Sequence, residues 1–394
     1  MRTLAVLGGS GPFTASFIDA LAATPELGLT QLHLAGRHAA RREAMVAYAR
    51  HRLPGCAVLG TASPEQAVDG AHAVVVQIRF GGMEGRAEAE RAAAAMGCPA
   101  DETLGPAGLH MALQLVEPTR ALARLLAERA SQAWILNLIN PLSVSCHLLA
   151  AAHPRVIGVC ELPHTTAQWA GDILGEPLDS WCCTGLNHRS FLHGLDQRGA
   201  DALPGLVAAL EARASDAPGG VPVAWLRELE ALPTKYFARL RRPEPPGPSR
   251  AEALLALSDR VAAELMRDPE RAPPSLALRV TDWYAEGVVP LLRALWVRPA
   301  ARIVNVPDAS GLVEERLAVV TPTEIRPLGR PPLSPAAAAW VERVRAHERG
   351  VLACLDDRAA IGEALALDPL VQAAGALSRI SAFRPPESPS PADR

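Results

Sequence analysis

The stretch that most constrains this chain is its beginning. Leu4-Ala-Val-Leu7 is an apolar run of strand length. It passes directly into Gly8-Gly9-Ser10-Gly11, and a helical stretch follows from Thr14 to about Ala23. Consecutive apolar residues suit a strand buried on both faces, as in a parallel sheet covered by helices on each side. Strand, glycine turn and helix in that order present backbone N–H groups to an anion at the helix N-terminus, the geometry that receives a dinucleotide pyrophosphate. The spacing is not a strict G-x-G-x-x-G, because Thr14 stands where a third small residue would fall. A tight turn without a ligand is the plainer alternative.

The same alternation continues. Residues 32–35, 73–77, 134–139 and 156–159 read as buried strands. Residues 84–95 and 110–129 read as helices, with a loop at 102–108 before the second. Strands alternating with helices at this pace imply an α/β fold with a doubly wound parallel sheet, whose ligands collect at the carboxyl ends of the strands. Gly8, Arg79, Asn140 and Cys160 all fall at such ends. From about Ser190 helical patterns dominate: 203–214, 224–232, 250–266, 283–295, 335–356 and 361–374, with strands at 301–306 and 317–320. The expected division is a dinucleotide-binding Rossmann-type domain over 1–189 and a substrate and oligomerisation domain over 190–384. A proline-rich loop is expected at 243–248 and a disordered Pro/Ser tail at 385–394.

A chain of 394 residues, 49% hydrophobic, can bury two such cores. A net charge of −3 gives no basis for a nucleic-acid or membrane partner. No apolar run is long enough to span a bilayer. Seven cysteines without a C-x-x-C pair read as reduced thiols in a cytoplasmic protein.

Cys160 and His188 combine a thiol and an imidazole, both good ligands for a divalent ion, each in or just after an apolar run. Two ligands make half a site, which the substrate would complete. A packed core thiol is the commoner fate of such a cysteine. At the end of the second strand, where an acid normally bonds the adenosine ribose, stand Gly36 and Arg37. Without the acid, and with Arg37, a 2′-phosphate is tolerated, which tilts the cofactor towards NADP. Arg37 is equally readable as a surface residue. Arg86 has Glu90 one helical turn on as an ion-pair partner, Asn140 before Pro141 suits a turn, Glu161 suits a helix cap, and Tyr236 suits a domain interface.

Taken together, these segments resemble glycoside hydrolase family 4, whose members use a nicotinamide cofactor and a divalent metal. The carriers are Gly8-Gly9-Ser10, Gln77-Ile-Arg-Phe-Gly-Gly-Met83 with Arg86, Glu102-Thr-Leu-Gly-Pro-Ala-Gly108, Asn137-Leu-Ile-Asn140-Pro141, the Cys160 segment, Gly185-Leu-Asn-His188 and Leu232-Pro-Thr-Lys-Tyr236. The resemblance implies an α/β enzyme with a C-terminal α+β domain similar to that of lactate and malate dehydrogenases. It implies Cys160 and His188 as metal ligands, Tyr236 as the base, Glu161 as an acid, and Arg86 and Arg250 on a 6-phosphate. Asn140 and Asn187 would lie at the substrate, with Glu102 near the metal. Gly8, Gly9, Ser10, Gly11, Phe13, Thr14 and Arg37 would bind NAD, or NADP, and the metal would be manganese. The implied activity is hydrolysis of a phosphorylated sugar, a 6-phospho-β-glucoside first. Alternatives are a 6-phospho-α-glucosidase or α-galactosidase, a net dehydrogenase on the same scaffold, and a non-catalytic sensor. A homodimer or homotetramer is the implied assembly. The chain departs from the family pattern at Gly36, at Ala107, in Phe237-Ala-Arg-Leu after the base, and in a shortened segment before Arg250.

Overall fold

The computed structural model describes residues 2–241 and 247–387. Residues 243–246 of the expected proline-rich loop, and the expected tail from 388 onward, lie outside the described residues.

Six strands form the parallel half: β1 (Thr3–Leu7), β2 (Gln31–Ala35), β3 (Ala57–Thr61), β4 (Ala73–Val76), β5 (Trp134–Asn137) and β6 (Val156–Gly158). Their order is β6-β5-β4-β1-β2-β3, and Leu4 of β1 lies opposite Leu32 and Ala73. All five β1 residues are buried. Leu4 and Val6 enter the core shared with Phe17 and Ile18 of the first helix, while Ala5 and Leu7 enter the opposite core, with Leu109 and Met111 of the long helix Gly105–Arg129. Period-two alternation thus feeds two apolar layers, and no polar face survives on the strand.

β6 is followed by an antiparallel half. β7 (Ser180–Leu186) and β8 (Arg189–Gln197) form a hairpin, extended by the short β9 (Ala200–Asp201) and β10 (Leu232–Pro233). β11 (Ala300–Pro307), β12 (Val313–Val320) and β13 (Ile325–Pro327) complete it. Among the described residues the strands make one continuous sheet, in which β11 pairs antiparallel with β6 through Asn305 opposite Gly158. The sheet therefore runs unbroken past the expected boundary at 189.

The structure extends several elements. The long helix begins at Gly105, inside the segment read as a loop, with Pro106 in its first turn, where a missing N–H costs no hydrogen bond. The stretch read as one helix over 283–295 is π-helical at Trp283–Val288 and α-helical at Val289–Trp296, with Pro290 at the join. β3 and the β7–β8 hairpin were not expected as strands.

The second half is fastened by a buried ion pair. Arg189 Nη2 meets Glu348 Oε2 at 2.6 Å, both side chains almost fully enclosed, and Ser143 also donates to Glu348. Removing either charge would strand the other in apolar surroundings.

Several histidines are buried as neutral groups, His110 and His193 among them. Burial pushes His110 and His193 down to about 4. The unfolded chain takes up these protons near the ordinary value of about 6.5, whereas the folded chain resists until about pH 4. Their stabilising effect is therefore complete above about pH 6.5 and is lost as pH falls towards 4. Calorimetric Tm is expected to decline steadily across that window, and a flat profile would contradict the assignment.

Candidate active site

The glycine turn packs against the ends of β2 and β4. Gly8 and Gly9 N–H both donate to Ala35 O, at 3.1 and 2.7 Å. A Cβ on Gly9 would lie 3.0 Å from both Val6 O and the Leu34 Cα, so only glycine fits there. Among the described residues the N–H groups of Ser10 and Phe13 make no hydrogen bond, which leaves them for an anion at the start of the helix Thr14–Ala22. Gln77, just past β4, donates to Gly8 O and to Thr14 Oγ1 and accepts from Tyr284 Oη at 2.8 Å. Tyr284 stacks on Phe17, and the Arg279 guanidinium lies 4.6 Å from the Phe13 ring centre. The far half of the chain thereby closes over the turn. The donor set fits a dinucleotide.

A second cluster forms where β6 ends and the β7–β8 hairpin turns. The hairpin turns through Asn187 and His188, and His188 takes φ of 65°, uncommon for a residue with a side chain. Thr234 Oγ1 donates to His188 O at 2.9 Å, and this brings Tyr236 into place. The Tyr236 ring stacks on the imidazole at 4.3 Å with 10° between planes. His188 Nδ1 lies 3.0 Å from Thr103 Oγ1, and that hydroxyl donates to Asp101 Oδ1 at 2.7 Å. The hydroxyl has one proton and gives it to the carboxylate, so it accepts from Nδ1–H. The imidazole is fixed as the tautomer with a free lone pair on Nε2. Burial lowers His188 to about 4, against the pull of Asp101 and Glu102, so the ring is neutral at ordinary pH. A neutral imidazole with an open Nε2 is the form a metal requires.

Cys160 lies two residues past β6 and is buried. Burial pushes its thiol well above the ordinary value, and Glu315 and Glu161 push the same way. Among the described residues no three His, Cys, Asp or Glu side chains gather as a metal site. A divalent ion at Cys160 and His188 therefore needs oxygen ligands from substrate or water. Burial also raises the Glu161 carboxyl, with Lys235 opposing. Its side chain makes no cap bond to the following helix, Leu162–Leu174, so the capping alternative does not hold. Burial raises the Tyr236 hydroxyl, as do Asp101, Cys160 and Glu102, while Arg239 works against them.

Glu102 joins this cluster to a group of arginines. It pairs with Arg79 and with Arg86 Nη1, the latter at 2.8 Å, and lies 3.5 Å from Asn140 Nδ2. Burial alone would raise the Glu102 carboxyl, but Arg79 and Arg86 bring it down to about 2. Arg86 is itself buried and also bonds Glu90 at 3.1 Å, the helical pairing expected as an alternative. Glu90 in turn accepts from Ser249 Oγ and Ala251 N–H, and so sets the start of the helix Arg250–Arg267 beside Arg86. Arg250 is exposed there, whereas Arg37 lies at the other end of the turn, beyond β2.

Sequence reasoning missed Glu315. It is fully enclosed on β12, without a cationic partner among the described residues. Its carboxylate accepts from Ser190 Oγ at 2.6 Å, Asn187 Nδ2 at 3.1 Å and Asn305 Nδ2 at 3.3 Å, and it also bonds the Cys160 thiol. Asn187, expected at the substrate, thus spends its amide on the carboxylate that holds Cys160. Nothing in Val313-Glu314-Glu315-Arg316 distinguishes the buried acid from its neighbour. Thr103 and Asp101, which set the imidazole tautomer, were also not singled out.

A doubly wound dinucleotide fold with a mixed second half defines the general class. A malate dehydrogenase from Plasmodium falciparum superposes over 90% of this chain and 99% of that one, with a TM-score of 0.53 and 12% identity. The match to one family is much closer. Residues 4–176 match the model of the Family 4 glycosyl hydrolase family, and the resemblance read from the motifs is to that family. A probable 6-phospho-beta-glucosidase of Bacillus subtilis is 24% identical over 325 residues, 73% of this chain and 72% of that protein. The 6-phospho-beta glucosidase of Thermotoga maritima, solved with NAD and glucose-6-phosphate, has a TM-score of 0.82 at 19% identity, covering 97% of this chain and 98% of that one. A 6-phospho-alpha-glucosidase from gut microorganisms, in complex with NAD and Mn2+, reaches 0.83 at 18% identity and 96% coverage of each chain. These structural likenesses establish the fold.

The hub at Glu315 yields a stability prediction. Glu315→Ala removes the acceptor shared by Ser190, Asn187, Asn305 and the Cys160 thiol, of which Asn305 retains Gly158 O, and should lower unfolding free energy by about 2–4 kcal/mol. Glu315→Gln, which keeps one acceptor oxygen, should lose less. Urea denaturation measures both, and equal losses would contradict the role given to the carboxylate.

Proposed function

We propose that this chain hydrolyses 6-phosphoglycosides, β-linked 6-phosphoglucosides first, by a nicotinamide- and manganese-dependent elimination. One observation carries the reading. A neutral histidine with an open Nε2, a cysteine and a stacked tyrosine converge at the strand ends, next to a carboxylate flanked by arginines. The names of the relatives supply the substrate class. When bound, the dinucleotide supplies a hydride acceptor for C3 of the sugar, and the metal at Cys160 and His188 supplies a Lewis acid for the C2 and C3 oxygens.

The protein's own groups do the rest. Oxidation at C3 acidifies the C2 proton, and Tyr236 Oη takes it. Free tyrosine is almost wholly protonated at neutral pH, and burial makes this one hold its proton more tightly still, so little tyrosinate is available without help. Lys235 and Arg239, each 5.5 Å from the ring centre, favour the tyrosinate and act together with the nearby ion. Glu161, its carboxyl raised by burial, is the candidate acid for the departing C1 oxygen. Asn140 orients the sugar hydroxyls, and Asn187 acts through Glu315. Arg86 and Arg250 hold the 6-phosphate, with Arg79 adjacent through the shared Glu102. Water adds to the alkene and the ketone at C3 is reduced again, so the net reaction is hydrolysis. The enzyme works in the cytoplasm as a homodimer or homotetramer, with residues 190–384 adding Tyr236 and Arg250 to the substrate site and carrying the subunit contacts. Its seven unpaired cysteines suit a reducing compartment.

A second reading is the α-linked 6-phosphoglucoside. The observation in its favour is Glu161, an acid immediately after the metal cysteine and raised by burial.

The test is nitrophenol release from the α- and β-linked 6-phosphoglucosides with manganese, a thiol reductant, and NAD or NADP in parallel. Release should require both metal and dinucleotide. Tyr236→Phe should lower it by about 10²–10⁴-fold, and Cys160→Ser should abolish it without unfolding the chain. Full activity in Cys160→Ser would contradict the metal role, and net reduction of the dinucleotide would identify a dehydrogenase instead.

A further inference from the structure

The adenosine end of the dinucleotide site lies where β2 ends, and three features there point one way. First, the position that would bond the ribose 2′-hydroxyl with a carboxylate is Gly36, and it cannot hold an acid. A Cβ built on Gly36 would fall onto the Ser10 hydroxyl, within the glycine turn itself. Gly36 is also fixed from both sides of its peptide: its N–H donates to Thr61 O at 3.0 Å, and its carbonyl accepts from Arg42 Nη1 at 2.6 Å. Second, the charge that surrounds this point is positive. Arg37, His38, Arg41 and Arg42 follow within six residues. The helix Ala39–Arg52 carries one acid, Glu43, and the Asp259 carboxylate is taken by Arg41 at 2.9 Å. Third, Arg37 and His38 are exposed and their side chains make no hydrogen bond or ion pair among the described residues, so their donors are available.

A ribose diol wants an acceptor at this place, and a 2′-phosphate wants donors and positive charge. We infer that this site selects the 2′-phosphorylated dinucleotide, NADP, over NAD, with Arg37 as the residue that reads the phosphate. The planar guanidinium is suited to that task because it binds a phosphate through two N–H groups at once. His38 and the unbonded Ser10 hydroxyl lie beside it as further donors. The solved neighbours named above hold NAD. Gly36 leaves no room for an acid here, so the inferred difference in cofactor rests on this chain's own residues. The inference rests on the nicotinamide-dependent reading above.

Calorimetric titration of the full chain with NADP and with NAD, without sugar or metal, reads binding directly. Adenosine 2′,5′-bisphosphate and 5′-AMP serve as fragments that isolate the 2′-phosphate. Wild type should bind NADP at least about tenfold more tightly than NAD, with the same order for the fragments. Arg37→Ala should erase the preference while moving the NAD affinity by less than about twofold, and Arg37→Lys should restore part of it. Equal or tighter binding of NAD by wild type overturns the inference, as does an Arg37→Ala variant that weakens both dinucleotides alike. Binding of neither dinucleotide by folded wild type would overturn the cofactor reading itself, a separate result from a reversed preference.

Discussion

Among the described residues, a single residue pair joins the two kinds of sheet on which the site depends. Asn305 of β11 lies opposite Gly158 of β6 and donates from Nδ2 to Gly158 O at 3.4 Å. A Cβ on Gly158 would come within 2.6 Å of Cys146 Sγ and 2.8 Å of the Asn305 side chain, so the seam closes only on glycine. The same Asn305 amide reaches Glu315 on the neighbouring strand. Cys160, two residues past the seam, is delivered against that carboxylate. The thiol comes from the parallel half and the imidazole from the antiparallel hairpin, and the register of β6, β11, β12 and β7 sets how they face each other.

Charge compensation then fixes what the site can receive. Asp101 is matched by Arg239 and Glu102 by Arg79 and Arg86, so the carboxylates nearest His188 are already paired. Arg279 and Arg250 have no ion-pair partner among the described residues, and burial with neighbouring arginines lowers the affinity of Arg279 for its proton. An incoming dianion relieves that repulsion. Glu315 is a different case: among the described residues it has no ion-pair partner, and its charge is offset by three neutral donors and a thiol. A divalent ion on Cys160 would supply the missing positive charge.

The parallel half was legible because its strands are buried on both faces. Residues 4–7, 73–76 and 134–136 read as unbroken apolar runs with nothing to confuse the pattern. β3 was not, since it is a sheet edge with mixed exposure and a glycine. The β7–β8 hairpin hid behind Cys183, Ser190 and His193, which break the apolar pattern in sequence but are enclosed in the fold. Cys160, His188 and Tyr236 were found through motif resemblance, and their grouping in space was invisible to spacing alone. Arg86 illustrates two compatible readings: the expected Glu90 pairing is present, and the same guanidinium also reaches Glu102. Glu315 left no trace in the sequence because its significance comes from an interstrand register more than a hundred residues away from Asn187 and Ser190.

The central claim is that glycosidic cleavage proceeds through loss of the proton at C2, taken by Tyr236 beside the Cys160–His188 pair. The most direct test is hydrolysis of a 6-phosphoglucoside in deuterium oxide, followed by magnetic resonance of the released sugar phosphate. Deuterium at C2 of the product is the predicted result. Hydrolysis that leaves the original hydrogen at C2 throughout would contradict the account, because direct displacement at C1 never breaks that bond.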